Sequence, residues 1–433
     1  MLVFRVPADG TYRLRLAEAT YAGSADHFAR LSLGELPLVT GIFPLTVSTN
    51  TATEVEVLGV NLRRSDRIKL ATGRAGEQGL PEPAREWRSR REWKFEVSEF
   101  PTPLEVEPNE APSQATSVPI PVAVNGRLKT KGTDSGSKSP GLASPSRAEP
   151  DEDFFRFQPN QGVTYVLETS ASRRGSPVDT RIEVLWSDGR PVEQVRLQAL
   201  RNSAITFRPE TSDETGIRFE NWEEMELNDL LWCGGEVMKL FRAPQGPDSD
   251  SALYSANGMR RGFFDTTPMA HYLEEPVFFV KPLAAGEKPV PNGLPVFTLN
   301  TVNEDAALRD IGTDSRIHFT APAGGEFLVR VTDARQFSGP EFAYTLVIRE
   351  AQPDFVVTLN GASPVVAAGS GQSFNFSVKR QDGFEGAIRL ALNHLPTGWT
   401  VAGPLVIEAG HSSMSATLNV APNAGQPSEA EWD

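Results

Sequence analysis

The sequence predicts an all-β protein built as tandem β-sandwiches. Gly (36 residues) and Pro (34 residues) are both frequent, which suits many short strands joined by tight turns. Polar and apolar residues alternate over short runs, for example at residues 54–57, as expected for strands with one buried face. The 433 residues, of which 39% are hydrophobic, allow roughly two to four domains with cores of their own.

Charge and hydropathy limit the partners that the chain can have. The formal net charge is −14, which disfavours nucleic acid and anionic membranes as main partners and suits hard cations such as calcium. No stretch approaches the roughly 18 apolar residues of a membrane span, so we expect no membrane insertion of this segment. One basic stretch holds tryptophans, a mixture that can bind nucleic acid or sugar. In so acidic a chain we interpret it as a strand with Trp87, Trp93, Phe95 and Val97 buried. Its basic residues are Arg85, Arg88, Arg90, Arg91 and Lys94.

Cys233 is the single cysteine of the chain. One thiol cannot form a disulfide within the chain, and we expect no cysteine-based metal site. Cysteine usage fits both the cytoplasm and bacterial export. A Cys–His pair can act as nucleophile and base, and His271 lies in the same region of the sequence. No local signature accompanies the pair, so we interpret Cys233 as a small buried thiol.

Residues 4–35 and 319–350 form a repeat at a constant offset of 315 residues. Each copy is predicted to form a hairpin and a third strand, because Pro-Ala-Asp-Gly and Pro-Ala-Gly-Gly supply turn residues. The first copy has no first half before it, so we expect residues 1–36 to be the C-terminal remnant of a truncated domain, with any signal peptide lost upstream. The identical pairs are Phe4/Phe319, Pro7/Pro322, Ala8/Ala323, Gly10/Gly325, Arg15/Arg330, Ala19/Ala334, Leu31/Leu346 and Glu35/Glu350.

Residues 37–103 are predicted to form a second unit. The pattern P-x-V-x-x-I-x-P begins at Pro37, and T-x-V-x-V-x-G-x-N-L begins at Thr53. Together they resemble the TIG/IPT family of Ig-like domains.

Residues 351–433 are expected to form another Ig-like domain and the start of a linker. There the run F-x-G-x-I-x-L-x-L-x-x-L-P-x-G-W begins at Phe384 and resembles Ig-like domains that repeat in bacterial surface proteins.

Residues 104–350 carry the most specific pattern. E-x-E-P-N-[DE] is followed by D-x-D-x-F-x-F, G-x-x-Y and G-S-P-x-D, and then by D-S-x-I-x-F-T-A-P-x-x-G-x-F-x-V-R-V from Asp314. This order resembles the bacterial pre-peptidase C-terminal domain, which implies a jelly-roll β-sandwich appended to secreted proteases and large surface proteins. The match covers residues 104–210 and 301–350, so residues 1–36 would be the end of another such domain.

Residues 211–300 depart from the pattern as a long insertion. A segment this long is the best candidate for a specialised function. Within it we expect a short helix over residues 223–231, whose carboxylates would form a solvated face rather than a catalytic site. The carboxylates are Glu220, Glu223, Glu224, Glu226 and Asp229.

A candidate calcium site follows from the resemblance. In the collagen-binding relatives of the family, the E-x-E-P-N linker and the D-x-D strand jointly bind calcium, an ion that takes six to eight oxygen ligands. A 22-residue polar stretch, residues 129–150, separates the two motifs here. The alternative is an acidic interdomain linker with an Asn turn. The matching residues are Glu105, Glu107, Asn109, Glu110, Asp151 and Asp153.

The sequence carries no zincin motif, G-x-S-x-G elbow, Walker loop or G-x-G-x-x-G. We therefore expect a non-catalytic multidomain binding or structural module of a secreted or cell-surface bacterial protein, with the periplasm as another location. Its partner would be an extracellular protein or polysaccharide. The alternative is an accessory region of a secreted protease or other hydrolase whose catalytic domain lies outside this segment. A third option is that the insertion itself is catalytic.

Overall fold

The computed structural model confirms the all-β prediction. Among the described residues, every regular element is a β-strand except three 3-10 turns at Pro112–Gln114, Ser172–Arg174 and Trp222–Glu224. The structure describes residues 6–18, 23–24, 27–28, 31, 33–62, 67–71, 73–81, 88–89, 92–129, 151–256, 258–306, 312–361 and 365–424.

The strands follow one another from Leu38 to Val420, and their bounds in chain order are as follows. They are β1 (Leu38–Phe43), β2 (Thr46–Ser48), β3 (Ala52–Val60), β4 (Arg67–Ala71), β5 (Gly76–Gly79), β6 (Arg88–Ser89), β7 (Lys94–Ser98), β8 (Thr116–Ser117), β9 (Val122–Arg127), β10 (Asp153–Phe157), β11 (Thr164–Ser170), β12 (Thr180–Trp186), β13 (Glu193–Ala204), β14 (Gly216–Ile217), β15 (Leu230–Cys233), β16 (Glu236–Arg242), β17 (Ser251–Leu253), β18 (Ser255–Ala256), β19 (Met259–Arg260), β20 (Pro276–Pro282), β21 (Val296–Asn300), β22 (Val302–Asn303), β23 (Arg316–Thr320), β24 (Phe327–Asp333), β25 (Ala343–Glu350), β26 (Asp354–Asn360), β27 (Gly371–Gln381), β28 (Ile388–Leu390), β29 (Trp399–Val401), β30 (Leu405–Ile407) and β31 (Ser413–Val420).

Strands β1–β7, within the predicted unit of residues 37–103 and called the first unit from here on, form two sheets that pack against each other. One has the order β4-β3-β1-β6 and the other β2-β7-β5, and one hydrophobic cluster takes residues from both. Trp93, Phe95 and Val97 are buried in it. The prediction that these side chains of the basic stretch face a core is therefore confirmed. The predictions for Arg85, Trp87, Arg90 and Arg91 fall outside the described residues.

The central unit is a β-sandwich. A five-stranded sheet has the order β22-β12-β24-β10-β8 and a four-stranded sheet the order β23-β11-β25-β9. Both sheets contribute to a single core, in which Phe155 and Val329 of the first meet Leu167 and Tyr344 of the second. The three strands predicted for the C-terminal copy of the repeat form as β23, β24 and β25. The predicted hairpin is wrong, because β23 pairs with β11 while β24 pairs with β10 and β12 in the opposite sheet.

The described residues of the N-terminal copy of the repeat do not form the strands that its sequence predicts. Between residues 6 and 36 they lie outside strands and are almost all exposed. The physical difference is the presence of partners. In the second copy β24 pairs with both β10 and β12, and β25 pairs with both β11 and β9, whereas no described strand pairs with the described residues between 6 and 36.

The insertion forms a sheet of seven strands in the order β14-β17-β16-β15-β20-β13-β21. Because β13 pairs with β20 and β21, this sheet begins at Glu193, before the boundary near residue 211 that the sequence suggests. The predicted helix over residues 223–231 is wrong. Only a 3-10 turn at Trp222–Glu224 forms there, Asn228 has a positive φ of 72°, and Leu230–Cys233 pairs as β15 between β16 and β20.

The last unit has a four-stranded sheet, β26-β27-β31-β29, and the pair β28-β30. The alternating residues Phe374, Phe376 and Val378 of β27 are buried in its core, as their period predicts. Two ion pairs tie this unit to the rest of the chain. Arg349 donates to both carboxylate oxygens of Asp382 at 2.5 and 2.8 Å, and Arg261 of the inserted region pairs with Glu385.

The first and central units meet at a buried asparagine. The Asn125 amide of β9 accepts from the backbone N–H of Thr46 (3.0 Å) and donates to the Thr46 carbonyl (2.9 Å). Thr345 of β25 donates to the same amide oxygen at 2.9 Å. This bidentate contact joins the two units directly beside the segment that carries the candidate calcium ligands.

Candidate metal centre

The linker that carries Glu105, Glu107 and Asn109 lies alongside the central sandwich. The backbone N–H of Glu105 donates to the carbonyl of Asn125 in β9 (2.9 Å), and that of Phe154 in β10 donates to the carbonyl of Asn109 (3.0 Å). The linker therefore folds back against the strand that carries Asp153. In this arrangement the two acidic motifs can bind one metal ion together.

Three carboxylates converge at this place. One oxygen each from Glu107, Asp151 and Asp153 lies within 4.8 Å of the others. Asp151 and Asp153 are 4% and 0% exposed, while the Glu107 side chain is half-buried. Carboxylates brought this close repel one another in a medium of low dielectric unless a cation or a proton lies between them.

Asn109 is fully buried and its amide faces two of these carboxylates. When its nitrogen is turned toward them, it donates to Glu107 Oε2 at 2.8 Å and to Asp153 Oδ1 at 3.2 Å. Turned the other way, the amide brings its oxygen to the same point. Carboxylate and amide oxygens are the ligands that calcium prefers, so the side chain fits both a metal-free and a metal-bound centre.

Glu105 adds a fourth buried carboxylate. Its Oε1 accepts the backbone N–H of Arg127 at 2.9 Å, but its buried Oε2 has no donor among the described residues. Burial, followed by the charge of Glu107, raises the pKa of Glu105 to about 8. A Cβ at position 126 would lie 2.6 Å from that Oε2 and 2.3 Å from the Tyr344 hydroxyl, so β9 needs Gly126 to admit both groups.

The two aspartates have raised pKa values for the same reason. Burial raises the pKa of Asp151 to about 6, although the backbone N–H of Lys129 donates to it at 2.5 Å. Burial and the charges of Glu105 and Asp151 hold the pKa of Asp153 well above its usual range, although Tyr344 donates to it at 2.5 Å. Among the described residues, the side-chain cation that pairs with the cluster is Lys129, whose ammonium lies 3.1 Å from Glu107 Oε1. The cluster thus holds more carboxylates than its described neighbours balance.

The structure brings together most of the residues predicted for calcium. Glu107, Asp151 and Asp153 converge, with Asn109 beside them and Glu105 in electrostatic contact. Glu110 lies at the edge: its charge contributes to the raised pKa of Asp151, but its carboxylate is outside the converging set. The centre also borders the first unit, because Arg127, which binds Glu105 through its backbone, donates to Glu56 through its guanidinium (2.9 Å).

A second buried polar cluster lies in the inserted sheet. Cys233 ends β15, and its Sγ lies 3.4 Å from Nδ1 of His271, which in turn lies 3.2 Å from Glu275 Oε2. Nε2 of His271 lies 3.0 Å from Glu236 Oε2, and Glu236 forms a bidentate ion pair with Arg260 at 2.7 and 2.9 Å. Sequence reasoning had singled out Cys233 and His271 but missed Glu236, Arg260 and Glu275.

A Cys–His contact is also the arrangement of a nucleophile and its base, but the surroundings of Cys233 do not favour that chemistry. Burial, with the Glu275 carboxylate next, raises the pKa of the thiol, whereas a reactive cysteine has a lowered one. Cys233 is 0% and His271 3% exposed, which leaves no open approach for a substrate.

The acidic residues near 220–229 are solvated, as predicted, although not on a helix. Glu220, Glu223, Glu224 and Glu226 are exposed. Arg201 pairs with Glu224 and Asp229 at 3.3 and 3.4 Å, and the exposed carboxylates are accessible to water. They do not form a metal centre comparable with the one beside the linker.

Comparison of the chain with known protein families, with curated proteins and with solved structures found no match. Across the described residues, no helix has the length and apolar character needed to cross a bilayer.

Proposed function

We propose that this chain is a non-catalytic binding or structural module of a secreted or cell-surface protein, in which calcium stabilises the junction between the first unit and the central sandwich. Its central unit would be a pre-peptidase C-terminal-like domain, on the strength of the motif order from Glu105 to Val331. The partner would be an extracellular protein or polysaccharide, bound across the surfaces of the tandem units.

The observation that carries the proposal is the convergence of linker and strand carboxylates without matching positive charge. Glu107, Asp151 and Asp153 approach within 4.8 Å, and the pKa values of Asp151 and Asp153 are both raised. Such a cluster costs folding free energy when it is ionised and metal-free. A divalent cation would remove that cost and use the same oxygens as ligands.

Calcium bound to this cluster would affect how the first unit and the central sandwich are oriented relative to each other. The linker contributes Glu105 and Glu107, the central sandwich contributes Asp151 and Asp153, and Arg127 connects the centre to Glu56 of the first unit. An ion that binds linker and strand together would fix the angle between neighbouring units. A module of this kind presents a partner with a rigid, extended surface rather than a flexible chain.

The test is a thermal melt of the full chain in EDTA and in millimolar calcium. With a Kd on the order of 10 µM, calcium should stabilise the fold by about 2.7 kcal/mol. Asp151→Asn/Asp153→Asn should lose this gain. The matched control Glu223→Gln/Glu226→Gln removes two exposed carboxylates and should keep it. Equal melting temperatures of the wild type in both buffers would mean that the cluster is only an acidic linker.

A further inference from the structure

We propose that Cys233, His271 and Glu275 in the inserted sheet bind a zinc ion, at a site separate from the calcium centre. The three side chains offer a sulfur, an imidazole nitrogen and a carboxylate oxygen, all within 4.8 Å of one another. A thiolate and an imidazole beside a single carboxylate select zinc over calcium, which takes oxygen ligands only.

Two of the three distances between the ligand atoms are close to those of tetrahedral coordination, and the third, between Cys233 and Glu275, is within 4.8 Å. Zinc binds sulfur at about 2.3 Å and nitrogen or oxygen at about 2.0–2.2 Å, so neighbouring ligands on a tetrahedron lie about 3.3–3.6 Å apart. Here Sγ of Cys233 lies 3.4 Å from Nδ1 of His271, and that nitrogen lies 3.2 Å from Glu275 Oε2. An ion could enter this triangle with small side-chain movements, and a water molecule would take the fourth position.

Glu236 supplies the outer contact that ligating histidines need. Its Oε2 lies 3.0 Å from Nε2 of His271 and accepts the proton there, which leaves the lone pair of Nδ1 free for the metal. Such carboxylate–histidine–zinc arrangements fix the ring and raise its basicity. Glu236 is itself held by the fully buried Arg260, so it is fixed in place to orient His271.

The charges also balance when the ion is bound. Zinc binding displaces the proton of the Cys233 thiol to solvent, and the resulting thiolate with the Glu275 carboxylate neutralises the divalent ion. Glu236 is already neutralised by Arg260. Because the ligands are 0%, 3% and 8% exposed, the ion and its water would be closed off from bulk solvent and would act on the fold. It would tie the β15–β16 hairpin to the segment that enters β20.

The local backbone supports this placement. Cys233 and Glu236 are paired across the hairpin, and Gly234 and Gly235 between them have φ values of 58° and 117°. A Cβ at Gly234 would lie 2.6 Å from Glu275 Oε1, so the glycine turn lets the carboxylate approach the cysteine. His271 is fixed by reciprocal backbone hydrogen bonds with Glu210, both 2.9 Å.

The experiment measures metal in the full chain, stripped of metal and then dialysed against zinc or cobalt(II). We expect the wild type to retain one zinc more than Cys233→Ser, and its cobalt form to show a sulfur-to-cobalt charge-transfer band that this variant lacks. Glu275→Gln should bind zinc at least 10–100-fold more weakly. The neighbouring exposed carboxylate provides the matched control, Glu274→Gln, which should bind as the wild type does.

Equal zinc in the wild type and Cys233→Ser would overturn the proposal, since any remaining zinc would then belong to the acidic cluster. If Cys233→Ser does not fold by circular dichroism, the cobalt spectrum of the wild type decides, and a spectrum without the sulfur band overturns it. Calcium binding at the linker is measured separately, because Asp151→Asn/Asp153→Asn leaves the cysteine site intact.

Discussion

Two buried clusters of carboxylates in this chain show opposite electrostatics. Beside the linker, burial and neighbouring charge raise the pKa of Glu105 to about 8. In the inserted sheet, burial would also raise the pKa of Glu236, but hydrogen bonds from His271 and Arg260 outweigh it and the pKa is lowered. Glu236 is fully buried and Glu105 only partly, yet Glu236 is the one with the lowered pKa, so burial alone does not explain the contrast.

The difference lies in the partners. Both oxygens of Glu236 bind the Arg260 guanidinium. Its Oε2 also accepts a hydrogen bond from the backbone N–H of Met269 at 2.8 Å. Glu105 faces carboxylates instead and keeps one buried oxygen without a described donor. A buried carboxylate that is fully paired belongs to the architecture, whereas one that lacks a partner indicates a place for a cation or a proton.

The largest effect is expected when the buried ion pair between Glu236 and Arg260 in the inserted sheet is broken. Glu236→Gln in metal-free protein should lower the free energy of unfolding by about 3–5 kcal/mol, because it leaves the buried guanidinium of Arg260 uncompensated. Urea denaturation of the full chain measures this.

The matched control is Asp188→Asn. Asp188 also pairs with an arginine, at 2.7 Å from Arg190, but both side chains are more than half exposed. No measurable change is expected there. If Glu236→Gln leaves the free energy of unfolding unchanged, the difference in pairing between the two clusters does not affect stability.

The carboxylates beside the linker, here called the linker cluster, are Glu105, Glu107, Asp151 and Asp153. They should make stability depend on pH in the opposite sense to ordinary salt bridges. The pKa values of Glu105 (about 8) and Asp151 (about 6) are raised in the folded state. Between their unfolded and folded pKa values, the folded chain binds more protons than the unfolded chain, so stability falls as pH rises. In EDTA we therefore expect the melting temperature to decrease from about pH 4 toward about pH 8.

Calcium should reduce that decrease, since the ion takes the place of the protons. The gain in melting temperature on adding calcium should be larger at pH 8 than at pH 5, and Asp151→Asn/Asp153→Asn should flatten both curves. A wild-type stability in EDTA that increases between pH 5 and pH 8 would contradict the assignment of a repulsive cluster.

The sequence predicts the linker cluster better than the inserted one, for a physical reason. The linker cluster follows from the resemblance of the E-x-E-P-N and D-x-D motifs to those of a known domain family. Each motif is a short stretch of sequence, and β10 forms at the second one. The partners of Cys233 come from β16, β19 and the segment before β20. Only the long-range pairing of the inserted sheet brings them together, so a count of cysteines cannot reveal a mixed ligand set.

Local patterns also fail where they have no partner. The N-terminal copy of the repeat has the turn and strand pattern of residues 319–350, yet residues 6–18 lie outside strands. At residues 223–231, tertiary pairing of Leu230–Cys233 within the inserted sheet overrides the helical interpretation. In both cases the outcome depends on whether a neighbouring strand is available, which composition and periodicity do not report.

The smallest effect should come from Lys129, whose ammonium lies 3.1 Å from Glu107 Oε1 and is nearly half exposed. Lys129→Gln in EDTA should cost less than about 1 kcal/mol, as expected for a solvent-screened pair. Its effect on calcium should have the opposite sign, because a positive charge that competes for Glu107 is removed. Repulsion between unit and divalent charges a few ångströms apart in high dielectric is worth on the order of 1 kcal/mol, so calcium affinity should rise about fivefold.

Isothermal titration calorimetry separates the two effects of Lys129 when Lys281→Gln serves as the control. Lys281 pairs with Glu287 at 3.2 Å and has a similar exposure, but it lies in β20 of the inserted sheet. Its loss should lower stability in EDTA as slightly as the loss of Lys129 does, and it should leave calcium affinity unchanged. If Lys129→Gln weakens calcium binding, the ammonium supports the centre rather than competing with the ion, and the ligand set must then exclude Glu107.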